Sequence, residues 1–395
     1  MSVRQRIENL IIMRIVAIRE KTVALSSTVR NASIGFTGMT ASALAMVTDV
    51  TRNGSPVVGF AFDSVGRYGH GGLLRERFIP RVLAAAPAEY LDEKRVGVDP
   101  FKIWNIAMCD EKPGGHGERP GAIGLIDAAA WDLVAKLEDK PLWHVLAERF
   151  GNGSSKDRVP VYASAGHYHE RNDVELLVDE IRRCLALGFR TIKIKAGGTS
   201  ISQDLRRIDA ALEIIGDNNA LAVDCNGVMS QSHAEAFIAA VADRDLAWVE
   251  EPVDPLDFEA HNAIAAGSPL PLATGENIFS AADTLNLVRY GGLRPDRDFL
   301  QMDVSLSYGI VEYLRILDIV EAHGWSRRHC LPHAGHLLAF NVVAGLRLGG
   351  HETGPLGSFP LGLEVSDGHA SPGDAPGVGF ERNANFVSLF GDLVQ

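Results

Sequence analysis

The sequence predicts an α/β protein whose core is a (β/α) barrel, with a second domain set in front of it. Three observations lead there. From about residue 159 onward, short β-branched or apolar runs alternate with longer stretches of helical period. Seven such runs recur at intervals of no more than 31 residues, and no Gly-rich nucleotide fingerprint follows the first, which suits a closed parallel barrel better than an open doubly wound sheet. A barrel of this kind takes ~250 residues. A chain of 395 therefore has a surplus, most of it before residue 140.

In chain order, residues 13–20 and 42–50 carry the pattern of antiparallel strands, and 121–146 that of a long helical stretch broken near Pro141. The runs 159–165, 190–196, 221–226, 246–252, 271–277, 299–305 and 329–335 then read as successive strands. Between them, 174–187, 201–215, 232–242, 281–290 and 308–322 set apolar residues at i, i+3, i+4 and i+7 steps, the stripe of a helix packed on a sheet. The tail beyond Gly354 is loop-rich, with Pro355, Pro360, Pro372 and Pro376, and is expected to wrap back onto the first domain. The expected division is a first domain over 1–135, a barrel over 136–354 and a returning segment over 355–395. Met13 can itself serve as a start, in which case residues 1–12 would be an extension without a role in chemistry.

Composition narrows the function. With 38 Lys and Arg against 50 Asp and Glu, the formal net charge is −12, and no Lys/Arg-rich run suggests a phosphate-binding surface, so no nucleic-acid partner is expected. The apolar stretch 10–18 is cut by Arg14 and falls far short of the ~20 residues of a membrane span, and the acidic Glu8 ahead of it does not suit a secretory signal. Hydrophobic residues make up 46% of the chain, enough for a large core. Four cysteines, Cys109, Cys184, Cys225 and Cys330, lie far apart without CxxC spacing, which fits a reducing compartment and a cytoplasmic location. A small-molecule carboxylate is the expected partner, and homo-oligomeric assembly is expected.

The charged residues at strand ends are the informative ones. In Thr191-Ile192-Lys193-Ile194-Lys195 the two lysines share one face, because successive strand side chains alternate. Either this is an edge strand with solvated lysines, or a barrel strand that drives two ammonium groups inside, which is unfavourable unless something there needs them. Each of the next three strands ends with a carboxylate, Asp224, Glu250 and Glu276, at equal 26-residue intervals that imply equivalent positions. Singly, Glu250 could cap a helix and Asp224 could form a turn with Asn226. Together, at the carboxyl ends of adjacent barrel strands, they would converge, and like charges so close require a cation. Mg2+ suits a set of three oxygens without histidine or cysteine. The remaining strands end in Asp303 and His333, 30 residues apart. A carboxylate bonded to one ring nitrogen fixes the tautomer of an imidazole and makes it a competent acid or base opposite Lys195. Taken alone, His333 reads more readily as a satisfied histidine near a loop, and His329 and His336 beside it form a poor zinc pattern.

Lys193-x-Lys195, Asp224-x-Asn226, Glu250-Glu251-Pro252, Gly275-Glu276-Asn277 and the Asp303–His333 dyad together resemble the enolase superfamily, mandelate racemase subgroup. The resemblance runs over nearly the whole chain and implies a (β/α)7β TIM-like barrel closed by an N-terminal α+β capping domain. It implies Asp224, Glu250 and Glu276 as Mg2+ ligands, Lys195 as a base, Lys193 as a carboxylate partner and His333 with Asp303 as a second acid or base. The segments 30–37, 66–72, 111–119 and 291–298 are similar to the D-tartrate dehydratase family within that subgroup, which implies Asn31 and Lys112 as substrate contacts. Val65 and Gly38 depart from that family's pattern, where Asn and Lys stand, so the preferred acid is expected to differ more readily than the reaction. For 111–119, an ordinary Gly-rich surface loop is the competing reading.

The implied reaction is Mg2+-dependent dehydration of a hydroxy diacid or acid sugar. Lys195 removes the α-proton, Lys193 and the metal hold the enediolate charge, and His333, kept protonated by Asp303, protonates the departing β-hydroxyl. For that, Lys195 must titrate well below ~10.4, and Mg2+, Lys193 and burial are each expected to push it down. A racemase or epimerase is the alternative on the same scaffold. His167-Tyr168-His169 after the first strand raises a metal-dependent amidohydrolase, against which the carboxylates of the later strands argue. A non-catalytic barrel could dispense with the seven ionisable residues that this chain carries.

Overall fold

The computed structural model describes residues 13–24, 31–33, 39–63, 69–354 and 364–394. The expectations for residues 1–12, Gly38 and Val65 lie outside these. The chain opens with an antiparallel sheet of β1 (Ile15–Ala24), β2 (Thr40–Arg52) and β3 (Ser55–Phe62). The first two were legible from the pattern; β3 was not. It follows β2 through Asn53-Gly54, with φ of 52° and 80°, the turn whose twist matches a two-residue hairpin. The alanine-rich β2 is buried from Ala41 to Thr48 because helix Glu118–Leu137 and the C-terminal helix Ala384–Val394 both pack on the sheet. Phe390 stacks on Phe60 with ring centroids 4.4 Å apart, and Arg19 donates to the Leu393 carbonyl at 2.8 Å. The C-terminal helix thus packs on the first sheet, and the proline content of the tail gave no reason to expect a helix there. Likewise the long helical stretch breaks at Pro141, into Glu118–Leu137 and Leu142–Phe150.

The barrel strands β4 (Val159–Ser164), β5 (Thr191–Lys195), β6 (Ala220–Asp224), β7 (Leu246–Glu250), β8 (Leu272–Thr274) and β9 (Phe299–Leu300) pair in parallel in that order. The seventh position is a single bridge at Cys330, with Leu331 N–H on the Leu300 carbonyl at 2.8 Å and Gly349 N–H on the Cys330 carbonyl at 3.0 Å. An eighth strand, β10 (His351–Thr353), pairs in parallel with β4 and closes the ring. Helices Asp173–Ala186, Ile201–Ile215, Gln231–Val241, Phe258–Gly267, Ala281–Tyr290, Ile310–Ala322 and Leu337–Leu346 follow the first seven positions in turn, giving a (β/α)7β barrel. Their inner faces carry the expected stripe, as in Leu177, Ile181 and Cys184 or Ile208, Ala211 and Ile215. No described helix is long and apolar enough to cross a membrane.

The expected strands 299–305 and 329–335 are cut to two residues and a single bridge. After Leu300 the Asp303 carboxylate takes the N–H groups of Ser305 and Leu306 at 2.7 and 2.8 Å, so the local turn captures donors the ladder would need. In 329–335, Pro332 has no N–H to offer. Both departures free the chain where side chains must reach the barrel mouth. The turn after β9 is also gripped from the cap: a Cβ at Gly124, within helix Glu118–Leu137, would lie 1.9 Å from the Ser305 carbonyl oxygen. Glycine in a helix interior costs about 0.5–1 kcal/mol, accepted here for the close approach. Asp127 caps the following helix through Ile310 N–H at 2.5 Å.

A buried histidine ties the cap together. His70 Nδ1 lies 3.0 Å from Asp63 Oδ1, and its Nε2 lies 3.2 Å from Glu118 Oε2. Burial opposes the imidazolium, but Asp63 and Glu118 outweigh it and push the His70 pKa up to about 9. Burial dominates at Asp63 and raises its carboxyl despite the same contact. A raised histidine stabilises the fold fully below its ordinary value of 6.5 and loses that stabilisation as the pH climbs through about 9. Across that window His70 is expected to contribute about 3 kcal/mol. With about 2.1 cal/mol/K of unfolding entropy per residue, this lowers the melting temperature by about 4 °C. His70→Asn should flatten that slope; equal slopes in the two proteins between pH 6 and 9.5 would contradict the assignment.

Candidate active site at the carboxyl ends of the barrel strands

Lys193 and Lys195 point into the barrel with 1% and 8% exposure, and Ile192 and Ile194 are buried on the opposite face of β5. The solvated edge-strand reading is therefore excluded. Lys195, Asp224 and Glu250 are the last residues of β5, β6 and β7 and stand in direct lateral register. Glu276 is not equivalent, despite its equal interval, for it lies two residues beyond the end of β8. Gly275 turns the chain there with φ +134°, and a Cβ at that position would meet Gln301 N at 2.9 Å. That turn returns Glu276 to the cluster. Asp224, Glu250 and Glu276 each offer an oxygen within 4.8 Å of the others.

Lys195 Nζ lies 2.5 Å from Asp224 Oδ2, and Lys193 Nζ pairs with Glu250 Oε1. At the far flank, His333 Nδ1 lies 3.0 Å from Asp303 Oδ2 and its Nε2 3.4 Å from Glu276 Oε2. The expected dyad is therefore formed, and it borders the carboxylate cluster on the side opposite Lys195. Burial works against a charged His333, but Glu276 and the Asp303 hydrogen bond push its pKa up to about 10. At Lys195 the chain's own charges pull in opposite directions. Burial lowers it, as does Lys193, but Asp224, aided by Glu276 and Glu352, outweighs both and raises it. The chain's own charges therefore keep this amine protonated.

The carboxylate excess is the reason a cation fits. Burial, with neighbouring Asp224, Glu352 and Glu276, lifts Glu250 to about 7 even against Lys193. Burial and the same cluster lift Glu251 well above its usual range. A compact set of oxygen donors with unbalanced negative charge and without sulfur or nitrogen is suited to a hard divalent ion.

Several functional side chains escaped the sequence reading. Glu352, on the unread β10, lies 3.2 Å from Lys193 Nζ and accepts from Ala334 N–H at 3.2 Å. Despite burial, Lys193 and His333 draw its pKa down. Its signal was a carboxylate between β-prone neighbours in His351-Glu352-Thr353, hidden at the edge of the proline-rich tail. Glu250 also accepts from Trp248 and Gln301, which sit two residues before Glu250 and Asp303 respectively, a parity that the sequence displays. The HxH motif does not converge on one ion: His169 Nε2 lies 3.0 Å from Glu180, on a barrel helix. Burial, reinforced by Lys195, lowers His167 to about 3, so it is neutral.

The two expected substrate contacts stand differently. Asn31 is buried and its Oδ1 accepts from Ser33 N–H at 2.8 Å. Lys112 is exposed, with no hydrogen bond or ion pair to the barrel mouth among the described residues. Its loop nonetheless docks on the barrel. His116 stacks on Phe279 at 4.7 Å and meets Asn277 Oδ1 at 3.1 Å, and Gly115 N–H donates to Asp283 at 3.0 Å.

A carboxylate cluster at one mouth of a (β/α)7β barrel, flanked by a lysine pair and an Asp–His dyad, is the geometry of a divalent-cation site with acid–base groups beside it. The sequence model of the family described as Enolase C-terminal domain-like matches residues 176–385, and the chain belongs to the enolase superfamily. It is 30% identical over 340 residues to L-talarate/galactarate dehydratase of Salmonella typhimurium, covering 84% of this chain and 78% of that protein. Among solved structures, a Streptomyces coelicolor racemase with bound magnesium superposes with a TM-score of 0.74 at 26% identity, covering 93% of this chain and 98% of the other. L-Talarate dehydratase of a Polaromonas species, complexed with Mg and L-glucarate, gives 0.74 at 25% identity and 92% of each chain.

Proposed function

We propose that this protein is a Mg2+-dependent dehydratase of a hydroxy diacid or acid sugar, with the cap over 1–135, the barrel over 136–354 and the returning segment 355–395 as its working parts. One observation carries the reading: Lys195 borders the three carboxylates at Asp224, and His333 borders them from the other side at Glu276. Asp224, Glu250 and Glu276 would hold the ion. Bound there, Mg2+ would supply the positive charge that offsets the carboxylates now holding Lys195 protonated, and would polarise the substrate carboxylate.

Lys195, once neutral, takes the α-proton as the C–H electron pair moves into the carboxylate to form an enediolate. Lys193, fixed among Glu250, Glu352 and Asp224, is held charged by these partners after burial is overcome, and balances the enediolate. As the enediolate collapses, the β-carbon–oxygen bond breaks, and His333 gives its Nε2 proton to the departing hydroxyl, which leaves as water. Asp303 stays on Nδ1 and keeps that proton on the ring nitrogen facing the mouth. The enol product tautomerises to a 2-keto acid. Asn31 and Lys112 are the proposed substrate contacts, supported for Lys112 by the docking of its loop on the barrel.

A panel of mono- and diacid sugars, with tartrate, talarate and galactarate stereoisomers first, tests the reading by 2-keto acid formation. At least one acid should lose water, chelation should abolish the reaction and Mg2+ should restore it. Inversion of an α-carbon without loss of water would assign a racemase instead, a reading that the fold shared with the S. coelicolor racemase favours.

A further inference from the structure

One oxygen of Glu250 carries two side-chain donors, whereas Oδ1 of Asp224 takes the single N–H of Asn226 at 2.9 Å. Oε2 accepts Trp248 Nε1–H at 3.0 Å and Gln301 Nε2–H at 2.7 Å. Both donors are buried, Gln301 at 1% and Trp248 at 4% exposure. The second N–H of Gln301 faces the Tyr162 hydroxyl at 3.3 Å, while its Oε1 meets no donor among the described residues. The amide cannot turn over without setting its oxygen against the carboxylate. An oxygen has two lone pairs, and two N–H donors fill them. Oε2 is thereby removed from the ligands on offer, which leaves Oε1, the oxygen paired with Lys193.

This matters for the choice of ion. Ca2+ takes six to eight oxygens and readily uses both oxygens of a carboxylate, whereas Mg2+ keeps to an octahedron and is content with one. We propose that Gln301 and Trp248 reserve Oε2 of Glu250, leave it a one-oxygen ligand, and so make the three-carboxylate site select a small octahedral cation against Ca2+. The proposal rests on the metal-site reading above. Gln301 and Trp248 are positioning residues here, acting through Glu250.

Mn2+ titration of the full chain by electron paramagnetic resonance, with Mg2+ and Ca2+ as competitors, measures this without turnover. The unaltered protein should bind one Mn2+ and release it to Mg2+ at concentrations about tenfold or more below those of Ca2+. Gln301→Met and Trp248→Phe each free one lone pair of Oε2. Mn2+ binding should weaken by about tenfold, the usual cost of losing a partner to a metal ligand. The Mg2+/Ca2+ gap should close by about fivefold because Ca2+ gains a second oxygen. A gain for Ca2+ is not what a loosened fold produces. Tyr162→Phe leaves both donors on Oε2 and should keep the gap within about twofold. An unchanged gap in both donor variants, or no preference in the unaltered protein, overturns the proposal while the metal site stands. Absence of Mn2+ binding in the unaltered protein overturns both. Should Gln301→Met not fold, as judged by circular dichroism and melting, Trp248→Phe decides alone.

Discussion

Lys195→Ala is expected to abolish both α-proton exchange in deuterated water and 2-keto acid formation, each by about 1,000-fold or more. A positioned general base contributes about 10²–10⁴, and alanine leaves nothing in its stead: Lys193, the nearest amine, is bound to Glu250, Glu352 and Asp224. A thousandfold loss corresponds to about 4 kcal/mol of barrier. Persistence of either reaction would remove Lys195 as the base. Lys195→Arg sharpens the result, because it keeps a cation beside Asp224 yet cannot accept a proton at any workable pH. It should fold like the parent and remain inactive.

The second large effect is expected at His333. Asparagine there should slow water loss by about 100-fold or more, the share of a positioned acid, while exchange catalysed by Lys195 continues. The separation follows from geometry, since Lys195 contacts Asp224 on one flank of the cluster and His333 contacts Glu276 on the other. Each can act without touching the other's proton. Loss of exchange in the His333 variant would mean that the imidazole takes the first proton, and would turn the reading toward racemisation. Asp303→Asn should resemble His333→Asn, because an amide cannot hold the Nδ1 proton as a carboxylate does.

Much of this site was legible in the sequence because strand periodicity is rigid. Lys193 and Lys195 had to share a face, and the 26-residue step from Asp224 to Glu250, which stand in register, follows from the repeated βα unit. What the periodicity could not convey was what happens where strands end. Glu276, Asp303 and His333 all sit beyond their ladders. They are delivered by Gly275, by the turn that the Asp303 carboxylate itself organises, and by the segment after Pro332, where His333 N–H donates to the Gln301 carbonyl at 3.3 Å. Glu352 was hidden for a different reason. Its strand is three residues long and runs straight into the proline-rich tail, so neither alternation nor length marked it. The ionisation of Lys195 was also beyond reach, since it depends on how many carboxylates surround one amine rather than on their spacing along the chain.

The missing side chain at Gly124 has a consequence for how such proteins can be rebuilt. The turn that carries Asp303 rests against the backbone of a cap helix, and there is no room between them for a single methyl group. A transplanted cap with any other residue at that point would push on the turn and, through it, on the partner of His333. Cap and barrel are therefore not interchangeable modules in this chain. An engineer who swaps one must carry residues 118–137 and 303–310 across together.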